Sequence, residues 1–316
     1  MPALGYGLSL AAVAAFIAVN RAVRAWRVER AFEAKFGRQR NARGVIAGAE
    51  SFTLIGSTDR AIVLLHGFND SPQTMRSPAA AMHAAGWTVY APVLPGHGRS
   101  PRAFAASGAD AWIAAARAAV GEALQRHRYV AVGGLSLGGA LAAIVASEER
   151  SVKAAVLFAP FFVHSRRLGA IAALWPLISL GVKYLTGGSA TRAVRSPEAR
   201  ATLIAYGCST PRLLREVQRV VQRARAALPA VRQPVWIAQS SDDYRIPGEQ
   251  AQAAFELLGS GDKRLHWTTG NGHVITVDHG HEELSAEAVG WLESRLPAGQ
   301  VAGSAPAAIP KPLMPG

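Results

Sequence analysis

The length, composition and charge of this chain limit the classes of protein to which it can belong. Its 316 residues can bury a large core, and 50% of them are hydrophobic, so the chain is not intrinsically disordered. The formal net charge of +13 raises nucleic acid or an anionic membrane as partners. The single cysteine, Cys208, excludes an internal disulfide framework, and no Cys/His spacing indicates a zinc site. We interpret Cys208 as an ordinary loop residue rather than a catalytic thiol.

The first segment is apolar. Residues 4–19 carry no charge, and arginines follow at once from Arg21 onward. This run is slightly shorter than the roughly 20 residues that cross a bilayer, although snorkelling arginines make a span feasible. A cleaved signal peptide normally carries positive charge before its apolar run, and here no charged side chain precedes the run. We therefore predict a membrane-anchor helix over residues 1–20, with the following domain held on the cytoplasmic side of the inner membrane. A buried helix packed on the domain is the alternative.

The next segment, residues 21–49, is predicted to be a basic amphipathic helix and linker. Trp26, Phe32 and Phe36 are interleaved with arginines and lysine. Aromatic and basic residues together are typical of a membrane surface. Nucleic acid is excluded as a partner because no recognised nucleic-acid-binding motif accompanies the charge.

Strands and helices alternate from residue 50 to residue 296, which predicts a mostly parallel, doubly wound α/β sheet. Buried strands are predicted at 61–65, 87–91, 129–132, 152–159, 234–239 and 263–268, after a first strand at 51–55, with helices between them. In such a sheet the active site lies at the carboxyl ends of the strands. His66, His97 and Ser136 all fall at strand ends.

The alternation stops between residues 160 and 232, where we predict a helical cap insertion without strands. Leu168 to Leu180 is almost wholly apolar. Because this run is short and interrupted by Pro176, a lid helix is favoured over a second membrane span. Residues 211–228 form a basic amphipathic helix, whose arginine face is either solvated or rests on anionic lipid. The tail, 297–316, is rich in Pro, Gly and Ala and is predicted to be disordered.

The motif that carries chemistry is Gly134-Leu135-Ser136-Leu137-Gly138, placed between a strand and an alanine-rich helix. This Gly-x-Ser-x-Gly pattern is that of a nucleophile elbow, a tight turn that presents a serine at its apex. Glycines are needed two residues before and after the serine because side chains there would collide with the neighbouring strand or helix. The pattern therefore indicates a nucleophilic serine at position 136.

A serine hydroxyl becomes a strong nucleophile only when a base removes its proton and a carboxylate orients that base. Downstream of Ser136, an aspartate pair, Asp242 and Asp243, ends a strand, and His273 lies in the loop after the next strand. Ser, Asp, His is the chain order expected when the elbow lies on a doubly wound sheet. The N–H of Leu137, at the start of the elbow helix, is the first predicted donor of an oxyanion hole.

The chain resembles the α/β-hydrolase superfamily, and in particular its compact carboxylesterases and monoacylglycerol lipase-like members. Four motifs carry this resemblance, namely His66-Gly67-Phe68, Leu94-Pro95-Gly96-His97-Gly98, Gly134-Leu135-Ser136-Leu137-Gly138-Gly139 and Gly272-His273-Val274-Ile275-Thr276-Val277-Asp278. The resemblance covers about residues 50–296, and the cap matches in position only.

The resemblance implies roles for individual residues. A family pattern Gln-x-x-x-Asp-x-x-Ile/Val-Pro matches Gln239 to Pro247 and selects Asp243 as the acid over Asp242. The family places the second oxyanion donor at the N–H of Phe68. His66 and His97 are interpreted as residues that order their loops, and Asp278 as a carboxylate that stabilises the loop of His273.

The predicted function is a serine hydrolase of carboxylic esters that acts through an acyl-enzyme and needs no metal or organic cofactor. The anchor and the apolar cap suggest lipid-like esters, such as monoacylglycerols or lysophospholipids. Aminopeptidase or acyltransferase chemistry on the same three residues stays open, as does a non-catalytic α/β-hydrolase that serves as a binding module. The sequence does not indicate an oligomeric state.

Overall fold

A computed structural model describes residues 3–162, 166–186 and 193–297 of the chain. The predicted disordered tail lies outside these residues from position 298 onward. Nine strands are described: β1 (Phe52–Leu54), β2 (Arg60–Leu65), β3 (Thr88–Ala91), β4 (Tyr129–Leu135), β5 (Val152–Phe158), β6 (Leu185–Thr186), β7 (Cys208–Ser209), β8 (Val235–Ser240) and β9 (Lys263–Thr268). Seven of them form the central sheet, and β6 and β7 form a separate pair.

The central sheet has the strand order β1-β3-β2-β4-β5-β8-β9. Only β1 is antiparallel to its neighbour, and the other pairs are parallel. All six residues of β2 and all six of β8 are buried, as expected for central strands covered by helices on both faces. The predicted mostly parallel α/β sheet is confirmed.

Helices cover both faces of this sheet. The described helices are α1 (Ala3–Phe36), α2 (Arg76–Ala84), α3 (Pro101–Ala106), α4 (Ala109–Arg126), α5 (Leu137–Glu148), α6 (Arg166–Ala173), α7 (Trp175–Gly181), α8 (Pro197–Thr202), α9 (Pro211–Ala227), α10 (Gly248–Leu257) and α11 (His281–Glu293). One core cluster joins the sheet to α4, α5 and α9, and a second joins its other face to α2 and α11. Short 3₁₀ turns occur at Gly37–Gln39, Pro72–Met75 and Leu228–Ala230.

The cap between residues 160 and 232 is largely helical, as predicted, but it also contains the antiparallel pair β6–β7. Each of these strands has two residues, which is too short for an alternating hydrophobic pattern to reveal. The apolar run from Leu168 to Leu180 is divided between α6 and α7, with the break beside Pro176. The arginine face of α9 is ion-paired in part, because Arg219 and Arg223 both contact Asp110.

The N-terminal segment differs from its prediction. One helix, α1, continues across position 20, since no glycine or proline lies between Leu8 and Phe36. Ala25, Phe32 and Phe36 in its second half are buried against the domain. Among the residues described, no helix combines the length and the apolarity required to cross a membrane. The predicted transmembrane anchor, and anchoring to the inner membrane through it, is therefore not supported; the uncharged run 4–19 was already short for a span.

Candidate active site

The elbow is a strained turn between β4 and α5. Ser136 has φ 54° and ψ −112°, a backbone conformation that is unfavourable for a residue with a side chain. A Cβ atom added at Gly134 would lie 2.7 Å from the carbonyl oxygen of Leu65, and one added at Gly138 would clash with that same oxygen. The two glycines therefore allow the turn to pack directly against the end of β2, as the sequence predicted.

The structure brings Ser136, His273 and Asp243 together from three different loops. The Nε2 atom of His273 lies 2.8 Å from Oγ of Ser136, and its Nδ1 atom lies 2.7 Å from Oδ2 of Asp243. His273 is 4% exposed and Asp243 is 6% exposed. With Nδ1–H donating to the carboxylate, Nε2 is free to accept the proton of the serine hydroxyl.

Asp243 is held as an anion by its surroundings. Burial alone would raise the pKa of its carboxyl, but the attraction of His273, and hydrogen bonds from His273, the N–H of Arg245 and the amide of Gln239, outweigh burial and lower the pKa. The neighbouring Asp242 points elsewhere and accepts a hydrogen bond of 2.7 Å from the N–H of Gly270. Of the two adjacent aspartates, only Asp243 contacts the imidazole, in agreement with the family pattern.

Both predicted oxyanion donors lie beside the serine. Phe68 and Leu137 line the same cavity as Ser136. Leu137 is the first residue of α5, so its N–H has no acceptor four residues earlier within the helix. A Cβ atom added at Gly67 would lie 3.6 Å from the Cβ of Ser136, which shows how closely the Gly67–Phe68 peptide approaches the serine.

The loop that carries Phe68 is braced by His66. The Nε2 atom of His66 accepts the N–H of Leu94 at 3.0 Å, so its Nδ1–H donates to the carbonyl oxygen of Gly67 at 2.9 Å. Burial lowers the pKa of His66 to about 4, which keeps the ring neutral. His66 therefore links two loops, as expected for an ordering residue.

Asp70 is a part of this loop that the sequence did not single out. It is buried, it lines the cavity, and its carboxyl accepts the N–H of Ser71 at 2.8 Å and the hydroxyl of Thr74 at 2.7 Å. Burial raises the pKa of Asp70 to about 7, although these hydrogen bonds and one from the backbone of Gly67 act in the opposite direction. Its position two residues after the His66-Gly67-Phe68 motif was the available signal.

Asp278 stabilises the loop of His273, as predicted. Its carboxylate accepts four backbone N–H groups, those of Arg195, Ser196, Gly272 and His279. Burial by itself would raise the pKa of Asp278, but these four bonds lower it. Two of the donors belong to the cap, so the same carboxylate joins the cap to the loop that holds the base.

A cavity of about 280 Å³ opens onto the serine. Its floor contains Ser136 and His273, and its walls are mostly apolar side chains from the cap and the elbow: Leu135, Phe161, Leu168, Leu185, Leu203, Leu214 and Val217. Cys208, which we interpreted from the sequence as an ordinary loop residue, also lies in this wall, and burial raises the pKa of its thiol to about 11. At neutral pH this thiol is therefore protonated and a poor nucleophile.

A model of the serine aminopeptidase S33 family of hydrolases matches residues 56–280, most of the chain. The chain belongs to this family. Among the described residues, no group of three or more His, Cys, Asp or Glu side chains is arranged to hold a metal ion.

Individual relatives are similar to this chain over most of its length. A thermostable monoacylglycerol lipase of Bacillus sp. strain H-257 is 27% identical over 243 residues, 74% of this chain and 90% of the relative. A carboxylesterase of Bacillus subtilis strain 168 is 25% identical over 245 residues, 77% and 95% of the two chains. A solved structure from work on the metagenome-derived lipolytic enzymes LipS and LipT superposes with a TM-score of 0.73 at 27% identity, covering 79% of this chain and 99% of the other. The resemblance predicted from four motifs is confirmed, and with it the prediction of a carboxylic ester hydrolase.

Proposed function

We propose that this protein hydrolyses acyl esters by covalent catalysis, with Ser136 as nucleophile, His273 as general base and acid, and Asp243 as the orienting carboxylate. The observation that carries the proposal is a single buried imidazole within hydrogen-bond distance of both a strained serine and an anionic aspartate. Nucleophile, base and orienting acid in this relation are the usual requirement for serine acyl transfer.

In the first half of the reaction, Oγ of Ser136 attacks the ester carbonyl while Nε2 of His273 takes the hydroxyl proton. Negative charge develops on the carbonyl oxygen, where the N–H groups of Phe68 and Leu137 stabilise it. Loss of one such donor typically costs about 2.7–4 kcal/mol of transition-state stabilisation. The imidazolium then gives its proton to the departing alcohol, and the acyl group remains on Ser136.

In the second half, a water molecule takes the place of the alcohol. His273 removes a proton from this water as it attacks the acyl carbonyl, and the same two N–H groups stabilise the second oxyanion. The imidazolium returns the proton to Oγ of Ser136, and the carboxylic acid leaves. Asp243 stays ionised throughout and stabilises the imidazolium in both halves.

The cavity supports an acyl ester of moderate size as the substrate. Its volume of about 280 Å³ lies slightly below the roughly 300–1,000 Å³ typical of small-molecule sites, and its walls are mostly apolar. Such walls suit a hydrocarbon chain better than the charged α-amino group of an aminopeptidase substrate, because burying an unpaired charge is costly. Monoacylglycerols and similar single-chain esters fit this description.

Hydrolysis of p-nitrophenyl butyrate, followed by release of p-nitrophenolate, tests the proposal. The wild-type protein should turn over this ester, and it should be labelled on Ser136 by a fluorophosphonate probe. An aminoacyl p-nitroanilide serves as the competing substrate for an aminopeptidase, and an added alcohol acceptor reveals acyl transfer. The proposal fails if the folded wild-type protein neither labels nor hydrolyses the ester, or if the anilide is the faster substrate.

A further inference from the structure

The N-terminal helix α1 lies outside the matched family region, residues 56–280, yet it contacts the cap at several points. Its residue Arg21 donates from Nε to the carbonyl oxygen of Ser179 in α7 at 2.9 Å. Further along α1, Phe32 is 6% exposed and Phe36 is 4% exposed, so this half of the helix is part of the packed structure.

Glu29 of α1 joins the cap to the main domain. Its Oε1 accepts the ammonium of Lys183 and the hydroxyl of Tyr184, both at 2.9 Å, and its Oε2 accepts Nε of Arg102 in α3 at 2.8 Å. Burial would raise the pKa of Glu29, but these three donors lower it to about 2. The carboxylate is therefore ionised at neutral pH, and it connects α1 to α3 and to the cap segment that precedes β6.

Phe32, three residues after Glu29, makes a second connection. Its ring is stacked on that of Tyr206 with centroids 5.2 Å apart and planes 7° apart, and Tyr206 is in turn stacked on Phe104 at 4.5 Å and 12°. The Tyr206 hydroxyl donates to the carbonyl oxygen of Gly96 at 3.0 Å and accepts the N–H of Arg99 at 2.9 Å. Tyr206 is thereby fixed in position by α1 and by the main domain.

These two connections lie directly beside the wall of the cavity. Tyr184 precedes Leu185 of β6, and Tyr206 precedes Gly207, which is followed by Cys208 of β7. Leu185, Gly207 and Cys208 all line the cavity, and β6 pairs with β7. The helix therefore holds the chain immediately before each of the two paired strands that form this wall.

We propose that α1 sets the shape of the acyl-binding cavity, and that Glu29 and Phe32 are positioning residues that determine the preference for acyl chain length by holding β6 and β7. This inference rests on the proposed esterase function. An ester long enough to reach β6 and β7 depends on the wall, whereas an acetate ester contacts only the region of Ser136.

The test compares p-nitrophenyl octanoate with p-nitrophenyl acetate in the full-length protein. For Glu29→Ala we expect KM for octanoate to rise about tenfold, since several hydrogen bonds to a charged group are lost, while kcat and KM for acetate stay unchanged. Glu33→Ala is the matched control, because the exposed Glu33 lies on the same helix and pairs only with the half-buried Arg40 among the partners described, at 2.6 Å. Loss of that pair should affect neither ester.

Tyr184→Phe removes one hydroxyl and carries the test if Glu29→Ala does not fold. We expect Tyr184→Phe to raise KM for octanoate in the wild-type background. In the Glu29→Ala background it should have little further effect on that KM, since both changes remove the same contact. If Glu29→Ala folds, normal octanoate-to-acetate selectivity in both variants would overturn this inference but not the proposed function. If Glu29→Ala does not fold, normal selectivity in Tyr184→Phe would do the same. Failure of the wild-type protein to hydrolyse either ester would overturn the proposed function and this inference with it.

Discussion

His273 Nε2 lies 2.8 Å from Ser136 Oγ, although 137 residues separate the two in the chain. The serine is presented by the turn between β4 and α5, and the histidine by a loop after β9 at the far edge of the sheet. This contact depends on the packing of the whole sheet, so changes at either residue or in the turns that hold them should alter activity.

Removal of the serine hydroxyl should abolish ester hydrolysis. We expect Ser136→Ala to lower kcat for p-nitrophenyl butyrate by about 10⁶-fold, the loss typical of a covalent nucleophile, with fluorophosphonate labelling lost as well. Thermal unfolding should confirm that the variant is folded. A variant that keeps even one-tenth of the activity would show that another group is the nucleophile.

Two adjacent aspartates allow a matched test of the acid. Asp243→Asn should lower kcat by about 10⁴-fold, because an amide cannot fix the imidazole tautomer or stabilise the imidazolium. Asp242→Asn should keep nearly full activity, since Asp242 contacts Gly270, Thr269 and Arg195 rather than His273. Equal losses in the two variants would contradict the assignment of Asp243.

The elbow glycines should tolerate no side chain. A methyl group at Gly138 would clash with the carbonyl oxygen of Leu65, so Gly138→Ala should lower the free energy of unfolding by about 1–3 kcal/mol or more and abolish activity. Gly121→Ala is the control, because a Cβ there meets no atom within 4 Å and α4 is helical around it. This control should raise the free energy of unfolding by about 0.5–1 kcal/mol, as measured by urea denaturation.

Asp70 should make the stability of the protein depend on pH. Its pKa is raised from 3.8 to about 7, so between these values the folded protein binds a proton that the unfolded chain does not. The free energy of unfolding therefore falls as pH rises through this window, by about 1.4 kcal/mol per pH unit at most. Above about pH 7 the loss is complete.

Asp70→Asn should remove this contribution because an amide does not ionise. Urea denaturation at pH 4.5, 6 and 7.5 should show the variant gaining stability relative to the wild type as pH rises. The comparison at pH 4.5 controls for any change in packing, since Asp70 is protonated in the folded protein there. A constant difference at all three values would mean that Asp70 titrates normally.

The succession of strands along the chain was predicted from short local patterns, and so was the elbow serine, whereas the choice of Asp243 and Phe68 came from the family resemblance. Apolar runs such as Ala61–Leu65 predict buried parallel strands, and the glycines around Ser136 predict a tight turn, because each signal is contained within a few neighbouring residues. The catalytic roles of Ser136, Asp243, His273, Phe68 and Leu137 stay predictions, and the variants above test those of Ser136 and Asp243.

Features that depend on distant contacts could not be read in this way. The sequence by itself determined the parallel sheet, the position of the cap and the turn that strains Ser136, because burial patterns and glycine geometry are local. Only the tertiary structure decided that Cys208 lies in the cavity wall, that Asp70 is buried beside the oxyanion loop, and that Glu29 of α1 contacts the cap. These relationships arise from packing between segments far apart in the chain, and no pattern within one segment specifies which distant surface it will meet.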